Sequence, residues 1–357
     1  MQPKTTPERS ALRLLFRTDS STTIGTGHVC RCHALAKAWV SHGGEALFAS
    51  AQITAFQREM ILNENWKLIE LNGKPGSAHD AHVTSACAFE HECDCLVVDG
   101  YRFDHDFQKI LRADGHKFLF FDDYVHCDCY CADIILNQNA YASKEMYALR
   151  APETKLLLGL DYLLLRNEFL ASKKITRDPL KPVSSILISM GGADPAGITS
   201  RVLTVLKNKT FYGINKTVIL GGSFSHPGRI RDEISGLKDF ELLVNTNCIS
   251  GIMARSDIAV IAGGTTVWEA AFMQLPFIAL QSADNQALNI SAINSNGMGI
   301  GIGPWNENTA EQLEKSLSGL IANSAMRSSL GRCGRLHIDG NGADRVVKAV
   351  VSILPVS

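Results

Sequence analysis

The chain has 357 residues, 45% of them apolar and 20% charged. That length suits two ordinary domains, and that composition two apolar cores. With 35 basic against 36 acidic residues the net charge is −1, which excludes a global basic field for nucleic acid or an anionic membrane and leaves a small anionic ligand to local groups such as helix N-termini or a single Arg.

Residues 1–9 are polar, contain Pro3 and Pro7, carry no apolar signal core and read as a loose tail. No apolar run approaches the roughly 20 residues that a membrane helix needs, so no membrane insertion is predicted and the chain is expected in the cytoplasm. Leu12–Arg17 reads as a first strand, Gly25 to Gly27 as a turn, and 28–42 as a helix. Val29, Cys32, Leu35, Ala36, Trp39 and Val40 fall at helical spacing within it. Further strands are predicted at Glu45–Ala49, Lys67–Glu70, Cys95–Asp99, Lys117–Phe121 and Ile134–Leu136, with helices between several of them. The stretch 171–183, polar and basic with Pro179 and Pro182, reads as a linker. The alternation then restarts, with strands at Ser185–Met190, Thr217–Leu220, Glu241–Val244, Asp257–Ala262 and Pro276–Leu280. Residues 341–357 hold an amphipathic helix expected to cross back to the first domain.

Strand–turn–helix alternation implies βαβ units and parallel sheets covered on both faces. The predicted class is α/β: two doubly wound, Rossmann-like domains, 11–170 and 184–340, facing a central cleft. Ligands of such sheets bind outside the carboxyl ends of the strands, and here in the cleft between the halves.

Six of the ten cysteines cluster as Cys87, Cys93, Cys95, Cys127, Cys129 and Cys131. Cys127-x-Cys129-x-Cys131 raises a zinc site, because thiolates bind zinc tetrahedrally. The spacing is not that of a C-x2-C knuckle, and alternate residues of a strand simply share a face. Reduced core cysteines, with no metal, are therefore expected.

Three glycine turns carry the candidate chemistry. The first is Gly25-Thr26-Gly27-His28 with Arg31. Glycines let the backbone turn tightly and approach a ligand, and the helix that follows aims its free N–H groups and positive end at it. His28 in the first turn faces the cleft as a general base, the alternative being a histidine that packs or caps. The second is Gly191-Gly192-Ala193-Asp194-Pro195, a glycine pair between strand and helix in a phosphate-cradle arrangement. The third is Gly263-Gly264-Thr265-Thr266-Val267-Trp268-Glu269. There Thr265 can N-cap, the next amides can hold a diphosphate, and Glu269 can accept both hydroxyls of a ribose or serve only the helix dipole.

Asp99-Gly100-Tyr101, Asp122-Asp123 and Asn137-Gln138-Asn139 all follow apolar strands of the first half. Their acids can orient His28, bind sugar hydroxyls or sit in solvated turns. Arg166, near the interdomain crossing, can reach a phosphate or uracil or pair with Glu168. Asn285-Gln286 opens a predicted helix and can touch sugar or diphosphate.

Arg17-Thr18-Asp19, Gly25-Thr26-Gly27-His28 and Arg31 together resemble the start of the UDP-sugar hydrolases of pseudaminic acid biosynthesis. The resemblance continues through Phe121-Asp122-Asp123, 133–139, Leu158-Gly159, Tyr162, Leu165-Arg166, Glu168-Phe169, 189–195, Gly263-Gly264-Thr265-Thr266, Trp268-Glu269 and Asn285-Gln286, nearly the whole chain. It implies a GT-B fold related to the N-acetylglucosaminyltransferase of peptidoglycan synthesis. It implies a cofactor-free, metal-independent hydrolase acting on UDP-2,4-diacetamido-2,4,6-trideoxy-β-L-altropyranose and releasing UDP. The family's base matches His28; its uridine-diphosphate contacts match Glu269 and the glycine turns, with Arg166 a further substrate contact. Gly100 departs from the bulkier or polar residue, often Ser, expected between Asp99 and Tyr101. The partner is then a small-molecule UDP-sugar, with no nucleic acid and the chain a monomer. The same residues leave three rivals: a GT-B glycosyltransferase, a UDP-sugar 2-epimerase, and a nucleotide-sugar-binding module without activity.

Overall fold

A computed structural model describes residues 11–21, 24–172, 177–178, 180–246 and 248–355. The polar tail at 1–9, positions 173–176 and 179 of the expected linker, and the last two residues of the final stretch lie outside the described residues. The first half runs β1 (Arg13–Thr18), α1 (Gly27–Ser41), β2 (Glu45–Ser50), α2 (Ala55–Leu62), β3 (Lys67–Glu70), α3 (Ala78–Glu90), β4 (Cys95–Asp99), α4 (His105–Ala113), β5 (Phe118–Phe121), β6 (Ile134–Asn137) and β7 (Lys155–Leu158). A short α5 (Asn167–Ala171) leads out of it. The second half runs β8 (Ser185–Ser189), α6 (Ile198–Leu206), β9 (Asn215–Leu220), α7 (Pro227–Glu233), β10 (Phe240–Val244), α8 (Ile249–Arg255), β11 (Ile258–Ala262), α9 (Thr266–Phe272), β12 (Phe277–Gln281), α10 (Ala287–Ser295) and β13 (Ile300–Pro304). It closes with α11 (Thr309–Ala322), α12 (Ser324–His337) and α13 (Gly342–Val351).

The strands form two sheets, ordered β3-β2-β1-β4-β5-β6-β7 and β10-β9-β8-β11-β12-β13. Neighbouring strands pair in parallel throughout. The central strands are apolar on both faces, as a sheet covered by helices on either side requires. In β1, Leu14 and Phe16 enter the core under α1, whereas Leu15 enters the opposite one with Phe103 and Phe107. In β11, Ile258 and Val260 face one core and Ala259 and Ile261 the other. Both sheets reverse their winding between the first strand and its cross-sheet neighbour, at β1/β4 and β8/β11. Loops after those four strands diverge and leave a crevice at the carboxyl edge.

Helix α13 shares its core with α1: Val346, Val347 and Val350 sit among Val29, Cys32, Leu35 and Trp39. Gly342 lets the start of α13 lie against the Leu163 backbone, since a Cβ there would stand 2.2 Å from the Leu163 carbonyl oxygen. Among the described residues no helix is long and apolar enough to cross a membrane.

Three features differ from the sequence reading. β7 is a short edge strand, and β13, Ile300-Gly301-Ile302-Gly303-Pro304, contains the residues that weaken strand propensity. Its glycine has a packing reason: a Cβ on Gly301 would lie 2.7 Å from the Ile290 carbonyl oxygen of α10. Cys127, Cys129 and Cys131 lie in the irregular loop between β5 and β6, not on a strand. The Asp122 carboxylate accepts from the amides of Tyr124 and Val125, both at 2.8 Å, and turns the chain out of the sheet there. Among the described residues no group of three or more His, Cys, Asp or Glu side chains is arranged to hold a metal ion, and none of the ten cysteines forms a disulfide.

Candidate active site

The turn after β1 and the turn after β4 meet at the first switch point. Gly25 takes φ +83°, a left-handed conformation that glycine adopts without strain. The chain then enters α1, where Thr26 makes no side-chain cap. His28 lies in the first turn, buried, and its Nδ1 is 2.7 Å from Asp99 Oδ1 at the end of β4. Nδ1 also faces the Arg31 Nη2 donor, at 3.2 Å; the shorter contact is to the carboxylate, which only accepts, and it favours a proton on Nδ1 with the lone pair on Nε2. The Tyr101 and His28 rings meet edge to face, with centroids 4.6 Å apart.

Arg31 follows one turn later on the same helix face. Its guanidinium forks onto Asp99, Nε to Oδ2 at 2.6 Å and Nη2 to Oδ1 at 2.7 Å, and its Nη1 donates to Asp123 at 2.8 Å. The Phe121 ring lies beneath it, 4.7 Å from Cζ. Burial alone would raise the Asp99 carboxyl, but Arg31 and then His28 outweigh it and hold the group well below the usual carboxylate range. Asp123 behaves likewise: burial raises it, Arg31 lowers it more. The Tyr101 hydroxyl donates to Asp123 Oδ2 at 2.7 Å, and burial with that carboxylate pushes it well up, keeping it a neutral donor.

Behind Asp123, Asn137 donates from Nδ2 to the Asp123 carbonyl at 3.0 Å, and Asn139 donates from Nδ2 to its carboxylate at 2.9 Å. Asn137 therefore supports the site from behind. Gly100 has no room for the larger residue expected there, since a Cβ would come 2.9 Å from the Phe103 ring. Sequence reasoning passed over Asp80, which holds the buried Arg17 through a fork at 3.1 and 2.8 Å and so fixes the end of β1. It also passed over Tyr141, whose hydroxyl donates to the Asp123 carbonyl at 2.7 Å. Neither lies in a glycine turn; only the position of Tyr141 after a strand end signals it.

The second half presents its turns at its own switch point. A Cβ on Gly192 would stand 3.9 Å from Thr26 Oγ1, so the glycine turns of the two halves are adjacent. The turn at Gly191-Gly192 is not an open cradle into α6, however. Asp194, at φ +45°, accepts from the Ile198 and Thr199 amides at 2.9 and 2.8 Å and occupies that helix end itself. Gly264 and Thr265 lead into α9, whose second and third residues, Val267 and Trp268, donate their amides to the Gly264 and Thr265 carbonyls at 3.3 and 3.1 Å. Thr265 already has helical φ/ψ and makes no side-chain cap, unlike the expectation. Glu269 is buried on α9 and receives a fork from Arg166, Nε to Oε1 at 2.8 Å and Nη2 to Oε2 at 2.9 Å. Arg166 also reaches Glu168 at 2.9 Å, and Glu168 accepts from the Ser250 amide at 3.0 Å. Burial opposes the charge on Arg166, but the two acids raise its pKa further. Gln286 folds its carbonyl onto Ser282, 2.9 Å from the amide, while Asn285 is exposed.

Two hollows of about 540 and 520 Å³ open elsewhere, at the amino ends of the strands, lined respectively by residues such as Arg13, Trp66 and Lys67 and by Arg177, Arg255 and Arg332. They share no residue with this site.

No family model matches the chain. The solved structure of MurG from Acinetobacter baumannii superposes with a TM-score of 0.65 at 14% identity, covering 96% of this chain and 100% of that one. WaaG, a glycosyltransferase involved in lipopolysaccharide biosynthesis, superposes at 0.56 and 12% identity over 94% and 99%. The fold is GT-B. A putative UDP-N-acetylglucosamine 2-epimerase from Listeria monocytogenes shares it, with a TM-score of 0.65 at 13% identity over 96% of each chain. In sequence, the UDP-2,4-diacetamido-2,4,6-trideoxy-beta-L-altropyranose hydrolase of Campylobacter jejuni is 26% identical over 282 residues, 77% of this chain and 93% of that protein. Spore coat polysaccharide biosynthesis protein SpsG of Bacillus subtilis is 23% identical over 329 residues, 90% and 93% of the two. Uncharacterized protein MJ1062 of Methanocaldococcus jannaschii is 28% identical over 284 residues, 77% of this chain, which spans only 57% of that longer protein.

Proposed function

We propose that the chain hydrolyses a UDP-activated amino-deoxy sugar, UDP-2,4-diacetamido-2,4,6-trideoxy-β-L-altropyranose, to UDP and the free sugar. The observation that carries this is the His28–Asp99 contact at 2.7 Å, at a switch point beside the glycine turns of the other half. A histidine oriented by a buried carboxylate is equipped to take a proton from water. The similarity to the Campylobacter hydrolase supplies the sugar.

In the proposed reaction water sits between His28 Nε2 and the anomeric carbon. Its proton passes to Nε2 as its oxygen bonds to C1. The bond from C1 to the phosphate oxygen breaks, its electron pair leaves with UDP, and the anomeric centre inverts. Asp99 stabilises the imidazolium that forms. The diphosphate is held by the amides of Gly264, Thr265 and Thr266, the Val267 and Trp268 amides being used within the turn, with the Gly191-Gly192 turn alongside. Glu269 takes the ribose: a carboxylate has about four lone-pair sites, and the Arg166 fork uses one on each oxygen. Asn285 and Gln286 border the diphosphate. The proposed reaction uses no metal or cofactor, and the proposed enzyme acts in the cytoplasm as a monomer.

A transferase on the same fold would direct His28 at a sugar hydroxyl rather than water. Incubation of the purified chain with the UDP-sugar and no acceptor separates the readings. Hydrolysis predicts UDP and free sugar in equal amounts. UDP formation only after an acceptor is added, a UDP-linked 2-epimer, or tight UDP binding without turnover would each replace the proposal with the corresponding rival.

A further inference from the structure

The loop after β5 adds a second aromatic ring beside the proposed base. Tyr124 is 39% exposed, and its ring centroid lies 5.0 Å from that of Tyr101, which in turn meets His28. His126 backs both rings, at 5.8 Å from Tyr101 and 5.9 Å from Tyr124. Tyr101 is tied by its hydroxyl to Asp123, whereas the Tyr124 hydroxyl makes no hydrogen bond among the described residues. An aromatic ring left open in a polar site forgoes burial that the core would have given it.

The backbone that presents Tyr124 is strongly determined. Asp122 accepts from both the Tyr124 and Val125 amides, and the Tyr130 hydroxyl donates to its other oxygen. Val125 sits at φ +61°, a conformation costly for a β-branched residue. Strain of that kind persists where the surroundings over-determine it, and it concentrates at ligand-binding positions.

We propose that Tyr124 and Tyr101 form an aromatic wall for the sugar, and that Tyr124 selects sugars with an apolar face, carrying deoxy or N-acyl methyl groups, over fully hydroxylated ones. The proposal rests on the nucleotide-sugar reading above. Ring C–H and methyl groups gain contact on a π face, whereas hydroxyls turned to it lose water without a partner.

The test compares wild type, Tyr124→Ala and Tyr124→Phe with UDP-2,4-diacetamido-2,4,6-trideoxy-β-L-altropyranose and with UDP alone. Tyr124→Ala is expected to raise KM roughly two- to tenfold, with the loss on KM rather than kcat and with calorimetric affinity for UDP unchanged. Tyr124→Phe keeps the ring and is expected to match wild type. An unchanged KM in Tyr124→Ala, or an equal loss of affinity for UDP, overturns the wall. If wild type turns over no UDP-sugar, the hydrolase reading fails separately, and calorimetry still decides the wall. Weaker binding of the UDP-sugar but not of UDP by Tyr124→Ala supports it; equal binding by both proteins overturns it.

Discussion

Replacing His28 by alanine is expected to lower kcat by at least about 10²–10⁴-fold, the usual worth of a positioned general base, with UDP affinity retained. The side chain touches the Asp99 carboxylate, the Arg31 guanidinium and the Tyr101 ring, and none of the second half's groups assigned to UDP. Its loss therefore falls on activation of water. His28→Asn serves as the second variant, because its shorter amide can keep the contact to Asp99 without accepting a proton. Steady-state UDP release gives the rate, and calorimetry with UDP shows that the nucleotide site survives. A near-wild-type rate in either variant would remove His28 from the chemistry.

Asp99→Asn is expected to cost roughly 10²–10⁴-fold in kcat, the range bounded by general-base loss and by the same substitution in a serine-protease triad. The amide can turn its NH₂ toward His28 Nδ1, which moves the ring proton to Nε2 and removes the lone pair that water needs. Arg31 keeps Asp123 at 2.8 Å, so one carboxylate still faces the guanidinium and the fold is retained at reduced stability. The sign of the pH effect follows from the depressed Asp99 pKa. The native carboxylate's contribution is fully present above its unfolded value of about 4 and is lost as pH falls toward the lower folded value. The stability gap between Asp99→Asn and wild type in urea should be widest at neutral pH and narrow as pH drops below about 4. A variant with unchanged kcat would mean that Asp99 only pairs Arg31.

The alternation of short apolar runs with helical spacing made the two doubly wound halves legible, because strands buried on both faces have little freedom in composition. The glycine turns were legible for the same local reason: Gly25 needs a positive φ, and a turn at a strand end shows in the sequence itself. The pairings that give those turns their chemistry were not. Asp99 is 71 residues from His28 and meets it because β4 lies beside β1, an adjacency set by sheet order rather than by any local pattern. Glu269 and Arg166 are 103 residues apart and join because the connecting segment packs Leu165 and Phe169 into the second half's core. The pattern Gly191-Gly192-Ala193-Asp194-Pro195 suggests an anion cradle, yet the Asp194 carboxylate itself caps α6, a competition invisible until backbone geometry is known. The strand β13 hid behind its glycines, of which Gly301 serves the close approach of α10 rather than a turn.

The central claim is that water, activated by His28, attacks the anomeric carbon. Turnover of the UDP-sugar in H₂¹⁸O, with mass spectrometry of both products, tests it most directly. One ¹⁸O in the free sugar and none in UDP is the expected result. Label in UDP would place the attack at phosphorus and contradict it.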